Sequence, residues 1–203
     1  MERATAPTRR LILAAAAALA TTRPAWAQTA GTRVRIETEK GVILVELADD
    51  KAPITVANFL RYVDSKRMDT AIFYRASKAP GAPTVGLIEG GVKDPAKLFP
   101  PIAHESTTMT GLRHLDGTLS MARFAPGTAA SDFSVCCGDA SYLDADPNLP
   151  GDNLGYAAFG QVIEGMDVAR AILALPAGGS ALNPEMKGEI LDPPVKFISA
   201  RRV

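Results

Sequence analysis

The chain contains few of the residues that carry redox, metal or nucleophile chemistry. Among 203 residues there are two cysteines, two histidines and a single tryptophan, Trp26, close to the N-terminus. Cys136 and Cys137 are adjacent, and a disulfide between neighbours would be strained and would close no useful loop. Two small strand residues that point to opposite faces are therefore favoured over a redox pair in an oxidising compartment.

The two histidines give no recognisable metal site. A long loop separates His104 from His114, and their spacing matches no ligand pattern of zinc proteins, so we expect loop and turn hydrogen bonds instead. Segment 144–155 begins with the spacing of a calcium loop but lacks the central glycine and the closing glutamate. A turn-rich surface loop is favoured there, and no metal ligand is predicted.

Long apolar runs are also scarce. Leu11–Ala20 is a ten-residue apolar run, too short to span a bilayer, and it follows arginines at positions 3, 9 and 10. Ala25-Trp26-Ala27 fits a signal peptidase site, so we expect residues 1–27 to be a signal peptide and residues 28–203 to be one domain. Adjacent arginines suit either general secretion or twin-arginine export, and the expected destination is the periplasm.

No charge of one sign dominates the chain. It has 22 basic and 22 acidic residues, and removal of the expected leader would leave 18 basic and 21 acidic ones. A basic face that could neutralise phosphates is not expected, which argues against nucleic acid as a partner. No membrane partner is predicted once the leader is removed.

Apolar periodicity predicts a mainly β domain. Val34–Thr38 and Val42–Leu47 alternate apolar and polar residues around a short turn, which is typical of a β-hairpin. Pro53 then begins a helix with apolar residues every three to four positions, and a second helix fits Met166–Leu173. Six further strands are predicted at Ile72–Arg75, Val85–Ile88, Leu119–Arg123, Phe133–Cys136, Ala158–Ile163 and Val195–Arg201. Eight strands with two helices predict a closed antiparallel β-barrel capped by the helices.

Six short stretches, in order along the chain, resemble the cyclophilin family of peptidyl-prolyl isomerases. They are Val34–Gly41, Ala52–Phe59, Phe73-Tyr74-Arg75, Glu89-Gly90-Gly91, Gly117–Ala122 and Ala158–Val168. The resemblance covers about residues 34–203 and implies an eight-stranded antiparallel barrel with the substrate on an outer face. It also implies that no metal or organic cofactor is needed.

The resemblance makes Arg75 the predicted catalytic residue. Rotation about a peptide bond faces a barrier of roughly 18–20 kcal/mol, which makes unaided X–Pro isomerisation slow. Catalysis breaks no covalent bond and must stabilise the twisted amide better than either planar form. A guanidinium is always charged and offers fixed donors to the amide nitrogen as it regains lone-pair character.

The predicted substrate pocket departs from the family at several positions. Glu89 and Asp132 stand where the family usually has glutamine, and negative charge there is expected to compete with substrate for Arg75. Ser134 replaces a phenylalanine that forms the floor of the proline pocket, and Gly86 replaces another. Burying such a side chain is worth roughly 1.5–3 kcal/mol, so the grip on proline is expected to be weaker.

Other positions complete the predicted pocket. The remaining substrate contacts are predicted at Leu87, Ala122, Arg123, Tyr142, Leu143 and Tyr156. Arg123 takes the place of an asparagine whose backbone contacts substrate. The candidates to fill the space of the missing rings are Tyr142, Tyr156, Phe124 and Phe133.

Two functions are open at this point. The first is a periplasmic, monomeric peptidyl-prolyl isomerase that acts on proline-containing, unfolded or extended exported chains. The alternative is a catalytically weak or silent module that binds proline-containing segments on the same barrel. A lipocalin-like ligand barrel is disfavoured because the chain begins with a hairpin followed by a helix.

Overall fold

A computed structural model of the chain describes residues 31–148, 151–181 and 183–203. The expected signal peptide, residues 1–27, lies outside these ranges. The strands are β1 Arg33–Thr38, β2 Gly41–Leu47, β3 Ala71–Ala79, β4 Ala82–Val92, β5 Thr118–Met121, β6 Phe133–Cys137, β7 Ala157–Glu164 and β8 Ile190–Arg202. They close into an antiparallel barrel in the order β1-β2-β7-β5-β6-β4-β3-β8, which confirms the predicted fold class.

The α-helices include both predicted ones and a further single turn. They are α1 Pro53–Asp64, α2 Thr107–Thr110 and α3 Met166–Leu173. At the N-terminus of α1, the buried Glu105 carboxylate accepts hydrogen bonds from the backbone N–H groups of Ile54 and Thr55, at 3.1 and 2.7 Å. The helix dipole favours a negative charge at this end. Among the described residues, no helix has the length and hydropathy needed to cross a membrane.

Aromatic rings fill the inside of the barrel. Phe59 of α1 lies edge-on to Phe133 of β6, with ring centroids 5.3 Å apart. Phe73 of β3 packs on Phe197 of β8 with a centroid distance of 4.8 Å. All four side chains are buried, and such pairs add roughly 0.5–1.5 kcal/mol beyond their area burial. Phe133 therefore packs in the core, and of the four candidates to fill the substrate pocket it is not one that does so.

The β3–β4 hairpin is longer than its composition predicts. The predicted strands end at Arg75 and begin again at Val85, but β3 continues to Ala79 and β4 begins at Ala82. Gly86 pairs with Lys78 at a φ of 151°, and a Cβ atom there would lie 2.0 Å from the Ser77 carbonyl oxygen. Only glycine allows this approach, so a residue typical of turns belongs to the strand.

The adjacent cysteines are buried free thiols at the end of β6. Burial raises the pKa of Cys136 to about 12 and the pKa of Cys137 to about 11. Neither thiol is ionised near neutral pH, and the thiolate is the reactive form. This environment favours the structural interpretation of the pair.

Candidate active site

Four polar residues lie side by side across four neighbouring strands. Arg75 of β3 pairs with Glu89 of β4, and Glu89 pairs with Ser134 of β6. Ser134 in turn pairs with Ser120 of β5. Directly paired residues of antiparallel strands point to the same face, and all four line a cavity of about 590 Å³. The strand register therefore assembles one site from residues far apart in sequence.

All ten residues predicted for the site line this cavity. They are Arg75, Leu87, Glu89, Ala122, Arg123, Asp132, Ser134, Tyr142, Leu143 and Tyr156. Their individual roles stay predictions, because a shared cavity shows that residues meet and not what each one does. Sequence reasoning missed further lining residues, among them Tyr74, Ser77, Lys93 and Ser120.

Two carboxylates hold the Arg75 guanidinium. Nη1 of Arg75 donates to Oε2 of Glu89, and Nε donates to Oε2 of Glu189, each at 2.7 Å. The predicted contact between Arg75 and Glu89 is therefore present. Within the described part of the chain, Nη2 has no protein acceptor, so N–H groups remain available for a substrate. The Arg75 side chain is 20% exposed, so a molecule in the cavity can contact it.

Burial and ion pairing act in opposite directions on the pKa of Arg75. Burial works to lower the pKa, but the hydrogen bonds to Glu189 and then to Glu89 outweigh it. The pKa of Arg75 is therefore raised above its ordinary value. The guanidinium stays charged, while the two carboxylates cancel part of its field in the cavity.

Glu189 is a site residue that sequence reasoning missed. It immediately precedes β8, and its backbone oxygen accepts a hydrogen bond from the Ala76 N–H at 2.8 Å. Its second carboxylate oxygen accepts a hydrogen bond from the Ser77 hydroxyl at 2.7 Å. The pairing of Ile190 with Arg75 brings it here, and such a long-range register leaves no local signal in the sequence.

Asp132 lines the cavity but does not contact Arg75, contrary to expectation. Its Oδ2 accepts a hydrogen bond from Lys93 Nζ at 2.6 Å and lies 3.1 Å from Tyr74 Oη. Lys93 offsets the charge of Asp132, so this carboxylate does not compete for the guanidinium. Burial, followed by the charges of Asp132 and Glu89, raises the pKa of Tyr74 well above its usual value. Tyr74 therefore stays protonated between the two carboxylates.

Small side chains form the floor of the cavity, and aromatic ones stand at its rim. Ser120 and Ser134 are buried at the floor, with 3% and 6% exposure, and Leu87, at 7% exposure, belongs to the wall. Tyr142 and Phe124 are 65% and 88% exposed, which places them at the rim. Neither ring fills the floor beside Ser134. The apolar grip on a proline ring must therefore come from the walls.

The Arg123 guanidinium clasps the loop that carries Tyr156. Nη1 and Nη2 donate to Asp152 at 2.7 and 2.8 Å, and Nε and Nη2 donate to the Gly155 carbonyl oxygen at 2.9 and 2.6 Å. The guanidinium also lies 5.3 Å from the centroid of the Tyr156 ring. The hydrogen bond from Arg123, followed by one from a backbone N–H, lowers the pKa of Asp152 to about 2. The clasp is therefore charged at physiological pH.

The two histidines form hydrogen bonds, as predicted. His104 Nε2 lies 3.1 Å from the Leu154 carbonyl oxygen, and His114 is buried between Asp144 and Ser120. Among residues that the structure describes, no group of three or more His, Cys, Asp or Glu side chains is arranged to hold a metal ion. The acidic segment that resembled a calcium loop instead supplies Asp144 to His114.

A closed eight-stranded barrel with an arginine at an outer cavity is a cyclophilin-like architecture. A crystal structure of a Cryptosporidium parvum cyclophilin type peptidyl-prolyl cis-trans isomerase, solved in the presence of the dipeptide Ala-Pro, matches with a TM-score of 0.64. It is 21% identical and covers 84% of this chain and 98% of that chain, which supports the fold alone.

Similarity of sequence extends over most of the chain. The family model for cyclophilin type peptidyl-prolyl cis-trans isomerases matches residues 33–192. A protein of Dickeya dadantii (strain 3937), named peptidyl-prolyl cis-trans isomerase A, is 39% identical over 153 residues, 73% of this chain and 75% of that protein. An Acinetobacter baylyi peptidyl-prolyl cis-trans isomerase is 34% identical over 176 residues, 85% of this chain and 86% of its own. The chain belongs to the cyclophilin-type peptidyl-prolyl cis-trans isomerase family.

Proposed function

We propose that this protein isomerises X–Pro bonds in exported, unfolded or extended polypeptides, with Arg75 as its catalytic residue. One observation carries the proposal. In a chain of this family, Arg75 lies half-buried at a cavity, and its Nη2 donates to no acceptor among the described residues. No residue of the cavity has to act as acid, base or nucleophile for this reaction. Partial burial strengthens the electrostatic effect of the guanidinium on a bound amide.

The chemistry asks for a donor that favours the twisted amide. Twisting removes conjugation, and the nitrogen regains a lone pair that accepts a hydrogen bond, which the planar form does not offer. Nη2 of Arg75 is the free donor for this lone pair. Leu87, Ala122 and Leu143 supply apolar wall for the proline ring while the other half of the peptide turns. Stabilisation is thus larger in the transition state than in either ground state.

Removal of the Arg75 guanidinium tests this function. The Arg75→Ala variant is expected to lose on the order of 100-fold or more in kcat/KM, the loss typical of a preorganised donor. The measurement is exchange between cis and trans forms of a short X–Pro peptide, followed by NMR. Arg35→Ala, which removes a half-buried arginine on β1 paired with Glu37, serves as the matched control and keeps full activity.

One observation favours the alternative of a weak or silent binding module. Glu89 and Glu189 already occupy two nitrogens of Arg75, which reduces the charge that a substrate meets. If the wild-type chain binds an X–Pro peptide without isomerising it, and Arg75→Ala binds the peptide equally tightly, the protein is a binding module and the enzyme proposal is wrong.

Export is a further part of the proposal, supported by the leader pattern in residues 1–27. A monomeric state is proposed with it. Full-length chain expressed in a Gram-negative host is expected in the periplasmic fraction, with Gln28 as its N-terminus by mass spectrometry and a single-chain mass by light scattering. Export that stops when arginines 9 and 10 are both changed to lysine indicates the twin-arginine route. An unprocessed cytoplasmic product contradicts export and leaves the isomerase assignment untouched.

A further inference from the structure

A second set of functional groups lies beneath the floor of the cavity. His114 is fully buried, and its Nδ1 lies 2.7 Å from Oδ1 of Asp144. Its Nε2 lies 2.9 Å from Oγ of Ser120. Ser120 lines the cavity itself. An aspartate, a histidine and a serine therefore form one hydrogen-bonded chain that ends at the cavity, and isomerisation uses none of them.

The neighbours of Asp144 determine which atoms carry protons. Asp144 accepts hydrogen bonds from Nε of Arg113 at 2.9 Å and from the backbone N–H of His114 at 3.0 Å, which identifies an ionised carboxylate. Nδ1 of His114 must therefore donate to Asp144. Nε2 is then the unprotonated nitrogen, and it accepts the hydroxyl proton of Ser120. Burial, which outweighs Asp144, lowers the pKa of His114 and keeps the ring neutral, the state of a general base.

Ser120 lines the cavity, although the residue as a whole is only 3% exposed. Ser120 and Ser134 are directly paired across β5 and β6, and both lie at the floor. A large side chain at position 134 is expected to cover Ser120, and the serine present there is much smaller. Ser120 thus combines a histidine partner with a place in the lining of the cavity, and a serine hydrogen-bonded to a histidine is the pair that activates a nucleophile.

We propose that Ser120, His114 and Asp144 form an acyl-transfer site for small activated esters. Ser120 Oγ bonds to the ester carbonyl carbon while Nε2 of His114 takes its proton. The ester C–O bond then breaks, and the alcohol or phenol leaves with that proton. Water attacks the acyl-serine and passes a proton to Nε2, and a carboxylic acid leaves as the proton returns to Ser120 Oγ. Asp144 holds the imidazole in its tautomer and stabilises the charged ring.

Covalent labelling tests the proposal directly. The full chain is treated with a fluorophosphonate probe and the adduct is mapped by mass spectrometry of its peptides, in parallel with hydrolysis of 4-nitrophenyl acetate. The expected result is an adduct on Ser120, absent in Ser120→Ala. Asp144→Asn is expected to slow labelling on the order of 100-fold or more, since the wrong tautomer is then favoured. Thermal melting confirms that each variant is folded.

Two further variants separate a nucleophile from an ordinary buried hydroxyl. Ser134→Phe, which places a large side chain on the residue paired with Ser120, is expected to abolish labelling. Ser77→Ala removes another hydroxyl of the same cavity, one bonded to a carboxylate instead of a histidine, and labelling of Ser120 is expected to persist. An unlabelled Ser120 in the wild-type chain, or ester hydrolysis in Ser120→Ala equal to wild type, overturns the proposal. Neither result bears on isomerisation through Arg75.

Discussion

At the scale of single residues, Glu89 has two opposing effects on Arg75. Its carboxylate fixes Nη1 at 2.7 Å and so holds the guanidinium at the cavity. The same negative charge weakens the electrostatic pull on a substrate amide. Glu89 is 6% exposed, so solvent screens this charge only partly. A substitution that separates the charge from the hydrogen bond therefore distinguishes the two effects.

Glu89→Gln makes that separation. The amide oxygen still accepts a hydrogen bond from Arg75, but the negative charge is gone, so we expect kcat/KM for an X–Pro peptide to rise several-fold. Glu89→Ala removes both and is expected to bring no gain, because Arg75 loses its orientation. Glu164→Gln, an exposed change on β7, is the control and leaves the rate unchanged. A rate for Glu89→Gln equal to or below wild type contradicts the blocking effect.

His114 makes stability depend on pH. Its pKa in the folded chain is lowered from 6.5 by burial, so the unfolded chain binds the proton first as the pH falls. The free energy of unfolding is therefore expected to decrease below about pH 6.5, by at most about 1.4 kcal/mol per pH unit. The groups around the His114 ring are Asp144 at Nδ1 and Ser120 at Nε2. Arg113 is hydrogen-bonded to the same Asp144 carboxylate.

Urea unfolding between pH 7.5 and 5.5 measures this dependence before most carboxylates titrate. His114→Gln is expected to flatten the slope, even though the variant is less stable at every pH. His104→Gln is the control and retains the slope, because it removes the other histidine and leaves His114 in place. A wild-type stability that is constant over this range contradicts the assignment.

At the scale of structural elements, the loop that carries Tyr156 depends on one side chain. Arg123 makes four hydrogen bonds to Asp152 and Gly155, and its side chain is 6% exposed. The loop in turn supplies Tyr156 to the cavity wall. Asp152 does not line the cavity, so a change there reaches the substrate only through the loop.

Asp152→Ala and Arg123→Ala are expected to raise KM by similar, several-fold factors with little change in kcat. The reason is that the loop loses its anchor while Arg75 keeps its contacts. The double variant is expected to raise KM no further than either single change, as coupled residues do. Steady-state kinetics with an X–Pro peptide measures all three. Additive effects would show that Arg123 acts on the substrate directly.

Elements with a strong local period were predictable, and contacts set by register were not. The first hairpin, α1 and α3 show alternating or helical apolar patterns, and the structure confirms them. The extension of β3 and β4 was not predictable, because a glycine such as Gly86 usually indicates a turn. Only the structure shows that Gly86 is needed for the close contact with Ser77. Glu189 and the clasp of Arg123 depend on strand and loop positions fixed only by the complete barrel.

At the scale of the whole molecule, β8 closes the barrel. It pairs with β1 from Val34 opposite Arg202 to Thr38 opposite Phe197, and with β3 on its other side. Phe197 contributes to the core. The family model ends at residue 192, yet most of this closing strand lies beyond that position.

A chain that ends at Asp192 is therefore expected not to fold. Loss of residues 193–203 would leave β1 and β3 with unpaired edges, which favour aggregation, and would remove Phe197 from the core. Far-UV circular dichroism and size-exclusion chromatography measure the outcome. Removal of Val203 alone, a residue 68% exposed, is the control and leaves the fold intact. A monomeric, cooperatively melting truncated chain would contradict the role of β8.

The two ion pairs of Arg75 also decide when its conformational freedom is lost. A free arginine side chain carries roughly 2 kcal/mol of rotamer entropy. Glu89 and Glu189 immobilise this side chain as the barrel forms, so the entropy is lost on folding and not when a peptide binds. A peptide that enters the cavity meets a cation already in place. Because Arg75 is already rigid, peptide binding loses less entropy there. This gain in binding free energy offsets part of what the serine floor, with its small apolar contact, does not provide.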